Sequence, residues 1–256
     1  IQAMSGVMSI TGEGEGPPLK AGAALCDFLG GIHLYGGIVS ALLQRERTGK
    51  GAVLDISMQD CVFPTLTTAL GAYFLAGEQK PRTGNRHPAL SAAPYNVYEA
   101  EDGHVAMICI RDGHWRKLCD AMGRSELADD ERFRDMKSRS SNMDELDEII
   151  NCWTRGLSKD EIFRQAQQFG VICAPVQSLA DVVSDPHMHE RGSLHWVENE
   201  TLGETVFMST PLRFKDQLPP SLEPVADLGH HTGQVLNELL NLNAEEIDGL
   251  RDREAI

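Results

Sequence analysis

The sequence predicts an α/β protein, because helical and strand patterns alternate along its first 77 residues. An apolar segment over residues 21–43 is followed by basic residues and a glycine at 45–49, which is typical of a helix end. Residues 52–58 alternate apolar and polar side chains, as a half-buried strand does, and residues 60–75 have the composition of a buried helix. A helix, a short turn, a strand and a second helix are the order expected where strands run parallel.

The rest of the chain has a different pattern, which predicts an α+β arrangement. Residues 78–91 are polar and rich in proline, glycine and asparagine, so they mark a loop or a domain boundary. Strand-like segments on both sides of Glu-Asp-Gly at 101–103 predict a β-hairpin, and a second hairpin is expected around Leu202 and Gly203. Three helices follow the first hairpin, and a short strand over residues 171–176 and a short helix over residues 178–184 precede the second. The prolines within residues 217–226 predict an extended connector before two final helices.

The composition argues against several classes of partner. The 256 residues include 23 basic and 38 acidic side chains, for a formal net charge of -15, which disfavours nucleic acid and anionic membranes. No apolar run approaches the roughly 20 residues that span a bilayer, so we expect no membrane association. The six cysteines lie in apolar stretches without a CxxC pair. They are typical of reduced core residues of a cytoplasmic protein, not of a disulfide framework or a metal site.

Asp27 is the first candidate for chemistry, because it stands where the apolar segment becomes helical. One interpretation is a helix N-cap, since aspartate accepts hydrogen bonds from the amides of the first turn. The other is a nucleophile, since a helix N-terminus keeps a carboxylate ionised and offers donors to a developing oxyanion. Gly30 and Gly31 would let a bulky substrate approach the backbone. The residues by themselves leave both interpretations open.

The sequence as a whole resembles the family III CoA-transferases, the group that includes formyl-CoA and carnitine CoA-transferases. The resemblance covers essentially the whole chain in order, which is more specific than any one motif. The stretches that carry it include QAMSGVMSITGEGEGPP, ALCDFLGGIHLYGGIVSALLQRERTGKG, LDISMQD, GNRHPALSAAPYNVYEAEDGHVAM and LGHHTGQVLNELL.

The resemblance implies a function for Asp27. In this family, the matching aspartate is the nucleophile that attacks an acyl-CoA, so Asp27 would form a mixed anhydride and then an aspartyl-CoA thioester. Coenzyme A and acyl-CoA would be substrates, with no tightly bound cofactor and no metal. The donor and acceptor acids are not indicated by the sequence.

The resemblance also implies a fold and an assembly. We expect an open, Rossmann-like domain with a parallel sheet, built from both chain ends, and an inserted smaller α+β domain. Residues 1–77 would belong to the large domain, residues 78–210 to the small one, and residues 211–256 to the connector and helices that return to the large domain. Two ring-shaped subunits would interlock in a homodimer. The chain opens at Ile1 as if inside an element, so we expect that a substantial N-terminal portion, with much of the CoA-binding surface, is missing.

The chain departs from formyl-CoA transferases in one loop. Those enzymes carry a run of glycines over the active-site aspartate, whereas residues 82–88 contain only Gly84. This difference argues against formyl-CoA or oxalate as the substrate. Asn85 and His87 are candidates for lining the acyl pocket, with a plain surface loop as the alternative.

Two other functions stay open at this stage. An α-methylacyl-CoA racemase shares the fold and uses the matching aspartate as an acid and base. An inactive or regulatory relative is the second alternative. The glycines of TGEGEG lack the spacing of a dinucleotide loop, so this segment is interpreted as a plain turn.

Overall fold

The computed structural model describes residues 1–77, 82–199, 202–216 and 226–256. They form two compact units, Ile1–Val176 and Gln177–Ile256. The mixed α/β composition predicted from the sequence is confirmed. The predicted domain boundaries after residues 77 and 210 stay predictions, as do the Rossmann-like arrangement, the inserted domain and the ring dimer.

The first 77 residues are helical wherever they are regular. The helices are α1 (Val7–Ile10), α2 (Leu25–Thr48), α3 (Met58–Val62), a 3-10 turn (Phe63–Leu66) and α4 (Thr67–Ala76). The predicted end of the long helix is confirmed: Gly49 adopts a left-handed conformation with φ 68°, and its amide donates to the carbonyl of Arg45.

The strand predicted over residues 52–58 is wrong for this structure. Residues 50–57 are irregular and pair with no other strand, and Val53 is 99% exposed. A strand becomes stable only when its amides and carbonyls pair with a neighbouring strand, and among the described residues no strand pairs with this segment. Parallel pairing is likewise absent from the part of the chain that the structure describes, where both sheets are antiparallel.

The rest of the first unit is built around a three-stranded sheet. Its strands are β1 (Tyr95–Ala100), β2 (Gly103–Ile108) and β3 (Ile172–Pro175), with helices α5 (Asp112–Ala121), α6 (Met136–Ser141), α7 (Met143–Thr154) and α8 (Lys159–Phe169), and a 3-10 turn (Ser125–Ala128). The predicted hairpin is confirmed, with Ala100 opposite Gly103. One hydrophobic core joins the sheet to the helices. Its fully buried members include Tyr98, Val105, Met107, Trp115, Leu118, Phe133, Leu146, Ile150 and Ile162.

The second unit contains the other predicted hairpin and the final helices. They are α9 (Leu179–Val183), α10 (Pro186–Glu190), β4 (Leu194–Asn199), β5 (Gly203–Met208), α11 (Thr232–Leu240) and α12 (Ala244–Arg251). Strands β4 and β5 pair antiparallel, which confirms the second hairpin. The predicted connector falls almost entirely on residues 217–225, outside the described residues.

Helix α2 exposes an apolar stripe. Its successive members are three or four residues apart, about one helical turn, and they are between 48% and 69% exposed: Phe28, Ile32, Tyr35, Val39 and Leu43. An 18-residue window of α2 has a mean hydropathy of 1.4, so this helix could cross a membrane by length and composition alone. That corrects the expectation that no apolar run reaches such a length. The same composition is found in core helices of large proteins, so it does not assign a membrane.

Candidate active site

Asp27 is the third residue of α2 and not its N-cap, so the N-cap interpretation is wrong. The N-cap position belongs to Ala24, which makes no side-chain cap. Asp27 is exposed and makes no hydrogen bond or ion pair with any residue that the structure describes. The result is an available carboxylate beside backbone amides that have no partner within the helix.

Cys26, the residue before Asp27, packs α2 against the rest of the first unit. Cys26 is buried in a small cluster with Val7, Val62 and Leu66. Successive helical residues are rotated by 100° around the axis, because there are 3.6 residues per turn. Burial of Cys26 against α1 and the turn after α3 therefore leaves Asp27 facing outward.

Gly30 and Gly31 have different surroundings, although they are adjacent. Gly30 is buried, and a Cβ added to it would lie 3.0 Å from Cγ of Met58, so close packing of α2 on α3 accounts for this glycine. Gly31 is exposed with open space where a Cβ would stand. It lies one turn after Asp27, on the same side of the helix. A role of either glycine in substrate binding stays a prediction.

The structure does not join Asn85 or His87 to Asp27 through a hydrogen bond, an ion pair or a common cavity among the described residues. Asn85 is exposed and lines a polar cavity of about 520 Å³ whose wall also includes Arg82 and Arg86. His87 is half-buried and faces its own loop and β1: Nδ1 accepts from the amide of Ala89 at 3.2 Å, and the ring meets Tyr95 edge-on at 5.5 Å.

The TGEGEG segment forms part of this polar cavity, which sequence reasoning missed. Arg82 donates from Nε to the carbonyl of Glu13 at 3.1 Å and from Nη2 to Gly14 at 3.2 Å and to Gly16. The amide of Gly84 donates to Gly12 at 3.1 Å. The segment is therefore a loop, as predicted, but it is docked on residues 82–86. No local sequence signal could have found this, because backbone carbonyls are the acceptors.

A second, mainly apolar cavity of about 250 Å³ lies between α1, the turn before α4, and α4. Leu66 lines it and also packs against Cys26, the neighbour of Asp27. Thr83 lines both cavities, so the loop after residue 81 forms a wall of each. Sequence reasoning identified α4 as a buried apolar helix and did not identify this cavity.

Two residues in the wall of the polar cavity, Arg86 and Asn96, belong to a hydrogen-bonded network around Asp147. The carboxylate of Asp147 accepts from Arg86 Nε at 2.8 Å, Asn96 Nδ2 at 2.9 Å and the Tyr98 hydroxyl at 2.7 Å. Burial, followed by the charge and hydrogen bond of Asp147, raises the pKa of Tyr98 well above its usual range. Burial opposes the charge on Arg86 and lowers its pKa, but the hydrogen bonds that Arg86 donates to Asp144 and Asp147, together with the charges of these carboxylates, outweigh burial and raise the pKa of the guanidinium.

The residues that the structure describes include no group of three or more His, Cys, Asp or Glu side chains placed to hold a metal ion. Asp27 offers an exposed carboxylate beside helix amides, and the two arginines of the polar cavity, Arg82 and Arg86, are already paired.

Known proteins resemble this chain in sequence and in fold. A family model described as CoA-transferase family III matches residues 1–232. A succinyl-CoA:mesaconate CoA-transferase of Haloarcula hispanica is 35% identical over 238 residues, which cover 93% of this chain and 59% of the relative. A succinate–glutarate CoA-transferase of Agrobacterium fabrum is 34% identical over 246 residues, with the same coverage of 93% and 59%.

A solved structure supports the same assignment. The crystal structure of a CAIB/BAIF family protein from Brucella suis has a TM-score of 0.78 and 32% identity to this chain, and the match covers 93% of this chain and 61% of that one. This chain thus spans about three-fifths of the length of the proteins it matches. Since the family model covers most of its residues, the chain belongs to the family III CoA-transferases.

Proposed function

We propose that this chain carries the nucleophile of an enzyme that transfers coenzyme A between carboxylic acids, and that the nucleophile is Asp27. The observation that carries the proposal is the environment of that side chain. Its carboxylate is exposed in the first turn of a 24-residue helix and is unpaired among the described residues. A carboxylate held by a structural ion pair would be a poorer nucleophile, because its lone pairs would already be engaged.

The reaction would proceed through Asp27 in balanced steps. An Asp27 oxygen attacks the carbonyl carbon of the donor thioester, the C–S bond breaks, and CoA leaves as a thiolate with the electron pair. The thiolate attacks the aspartyl carbonyl of the resulting anhydride and releases the donor carboxylate. The acceptor carboxylate then displaces the thiolate from the aspartyl thioester. The thiolate finally attacks the acceptor carbonyl of the second anhydride, which forms the product thioester and regenerates the Asp27 carboxylate.

The N-terminus of α2 would assist each of these steps. Every tetrahedral intermediate carries a negative oxygen, and amides in the first helical turn are donors without intrahelical partners. No net proton transfer is needed, because carboxylates and a thiolate are exchanged for one another.

We propose dicarboxylic acids as the substrate class. The relatives named above act, by their names, on succinyl-CoA, mesaconate, succinate and glutarate. Each of these acids has a second carboxyl group, which a CoA-transferase must accommodate while the first one reacts. Coenzyme A would enter as a substrate and not as a bound cofactor.

The complete enzyme is proposed to need more than this chain. The matched relatives are longer, and the apolar stripe on α2 is a surface of the kind that soluble proteins cover. We therefore propose that additional sequence or a second copy, in a cytoplasmic homodimer, covers α2 and completes the CoA-binding surface.

Covalent trapping tests the proposal directly. The full-length protein is incubated with a panel of acyl-CoAs, including succinyl-CoA, and quenched with hydroxylamine, and peptides are analysed by mass spectrometry. We expect a hydroxamate on Asp27 that requires acyl-CoA. Asp27→Ala should abolish both the label and CoA transfer.

Asp60 provides a matched control. It is also an exposed aspartate at the third position of a helix, α3, so Asp60→Asn changes a similar charge in a similar place. We expect this variant to keep the label on Asp27. If Asp27 stays unlabelled while solvent deuterium enters the α-carbon of a 2-methylacyl-CoA, the racemase alternative replaces the proposal. Absence of both signals would favour an inactive relative.

A further inference from the structure

Asp147 connects three separate segments of the first unit. It lies on α7, is buried, and accepts hydrogen bonds from the loop residue Arg86 and from Asn96 and Tyr98 on β1. Arg86 and Asn96 donate to Oδ2, and Tyr98 donates to Oδ1, so both carboxylate oxygens are engaged. Because these partners come from outside α7, the contacts fix the loop against the sheet and the helix together.

Arg86 has a second acidic partner that differs from Asp147 in burial. Nη2 of Arg86 lies 2.7 Å from Asp144 and 2.7 Å from Asp147. The Asp144 side chain is 94% exposed, whereas that of Asp147 is 12% exposed. Water screens and competes with the exposed pair, so it contributes little to holding the loop. Removal of the buried carboxylate would leave donors without an acceptor.

The loop that Arg86 anchors carries the two candidate residues of the sequence analysis. Asn85 precedes Arg86 and His87 follows it. On the other side, Arg82 is fixed by the carbonyls of the Glu13 segment. The loop is thus held at both ends, and it forms a wall of the polar cavity of about 520 Å³.

We infer that Asp147 is a positioning residue for CoA transfer, which it serves by holding Asn85 and His87 in place through Arg86. The inference rests on the proposed function. Arg86 and Asn96 both donate to Oδ2 of Asp147, and Tyr98 donates to Oδ1. The NH2 group of Asp147→Asn would therefore face at least one of these donors, and the negative charge beside Arg86 would be lost. The loop would relax as a result. A displacement of about 1 Å in a group that contacts substrate can cost about a hundredfold in rate.

The first test compares Asp147→Asn with Asp144→Asn in the full-length protein. Both remove a negative charge that contacts Arg86, but only the first removes a buried acceptor. We expect Asp147→Asn to slow single-turnover acylation of Asp27 at least about tenfold, and Asp144→Asn to stay within about twofold of wild type. Circular dichroism and thermal unfolding verify that the compared enzymes are folded at the assay temperature.

A double-mutant comparison separates positioning from general stability. If Asp147 acts through Asn85 and His87, then Asp147→Asn should have little further effect on the acylation rate of an Asn85→Ala/His87→Ala enzyme. A merely structural role would give the same factor in both backgrounds. Arg86→Lys, which keeps the charge but loses the planar fork, should also slow acylation if Asp147→Asn fails to fold.

The outcomes distinguish this inference from the proposed function. A wild type that is labelled on Asp27, together with Asp147→Asn labelled at the same rate, overturns the positioning role alone. The positioning role is also overturned if Asp147→Asn slows acylation by the same factor in wild type and in the Asn85→Ala/His87→Ala enzyme. A wild-type enzyme with no label on Asp27 overturns the proposed function, and this inference with it.

Discussion

Arg139 is completely buried, and its Nη2 donates a hydrogen bond of 2.7 Å to Oδ1 of Asp112, whose side chain is 56% exposed. The other donors of the guanidinium reach backbone carbonyls, with Nε on Ala93 at 2.8 Å and Nη1 on Phe133 at 2.9 Å. The guanidinium carbon of Arg139, Cζ, lies 5.8 Å from the ring centre of Trp115. The arginine therefore connects α6 to the start of β1 and the start of α5.

This arrangement predicts a strong effect of Arg139 and a weak effect of Asp112 on stability. Arg139→Met should lower the free energy of unfolding by about 3–5 kcal/mol, because it removes one partner of a buried ionic network and leaves buried carbonyls without donors. Asp112→Asn should cost less than about 1 kcal/mol, since that side chain is half in water and still accepts. Urea unfolding of the full chain measures both. Equal losses of unfolding free energy for the two variants would contradict the interpretation that Arg139 acts mainly through the buried carbonyls of Ala93 and Phe133.

The stability of the protein should respond differently to substitution of the two neighbouring glycines of α2 by alanine. Gly31→Ala should raise the free energy of unfolding by about 0.5–1 kcal/mol, because alanine is the better helix former and its Cβ meets open space. Gly30→Ala should show no such gain, since its Cβ would lie 3.0 Å from Met58. Thermal and urea unfolding of the two variants give the comparison.

Activity of the same Gly31 variant tests its predicted contact with substrate. If the substrate passes close to this face of α2, Gly31→Ala should lower kcat/KM about tenfold although the protein becomes more stable. An unchanged kcat/KM would remove Gly31 from the substrate-binding residues.

Gly84 is predicted to be required where the two loops meet. Its φ is +60°, and an added Cβ would lie 2.8 Å from the carboxylate oxygens of Glu13. Gly84→Ala should therefore destabilise the full chain by about 1–2 kcal/mol through left-handed strain, with the displaced Glu13 adding to this cost. Gly51→Ala is the control, because its Cβ would meet open space, and it should change stability by less than about 0.5 kcal/mol. Similar losses for both would refute the docking of the loops.

The buried thiols predict a loss of stability at alkaline pH. Burial raises the pKa of Cys109 to about 12. It is also the main reason why the pKa of Cys119 is raised to about 12. An unfolded thiol ionises near pH 8.5, so only the unfolded state loses these protons between about pH 8.5 and 12. The stability that these thiols contribute is complete below about pH 8.5 and decreases as the pH rises through that window.

Single substitutions should reveal this dependence. Between pH 8 and pH 10.5, Cys109→Ala should lose less unfolding free energy than wild type does, because one of the titrating groups is gone. Cys152 is exposed, so Cys152→Ala should keep the wild-type pH dependence. If Cys109→Ala and Cys152→Ala have the same slope, the buried thiols do not account for the alkaline loss.

Features that depend on neighbouring residues were predictable from the sequence. The end of α2 at Gly49 follows from basic residues and a left-handed glycine. The hairpin of β1 and β2 follows from the Glu-Asp-Gly sequence at 101–103, of which Gly103 is already paired with Ala100. The capping box of α8 joins Ser158 and Glu161, which are only three positions apart. In each case, the groups that satisfy one another lie within a few positions of the chain.

Tertiary structure decided what depends on distant partners. Residues 52–58 have a strand pattern but no neighbour to pair with, and the helix begins at Leu25, which places Asp27 at its third position. Arg86 and Asp147 are separated by 61 positions, and Arg82 and Glu13 by 69. The sequence by itself determined the family, most of the helices, both hairpins and the candidate Asp27. Only folding brought the loops and the buried charges together, because a hydrogen bond between distant residues leaves no periodic signal in the chain.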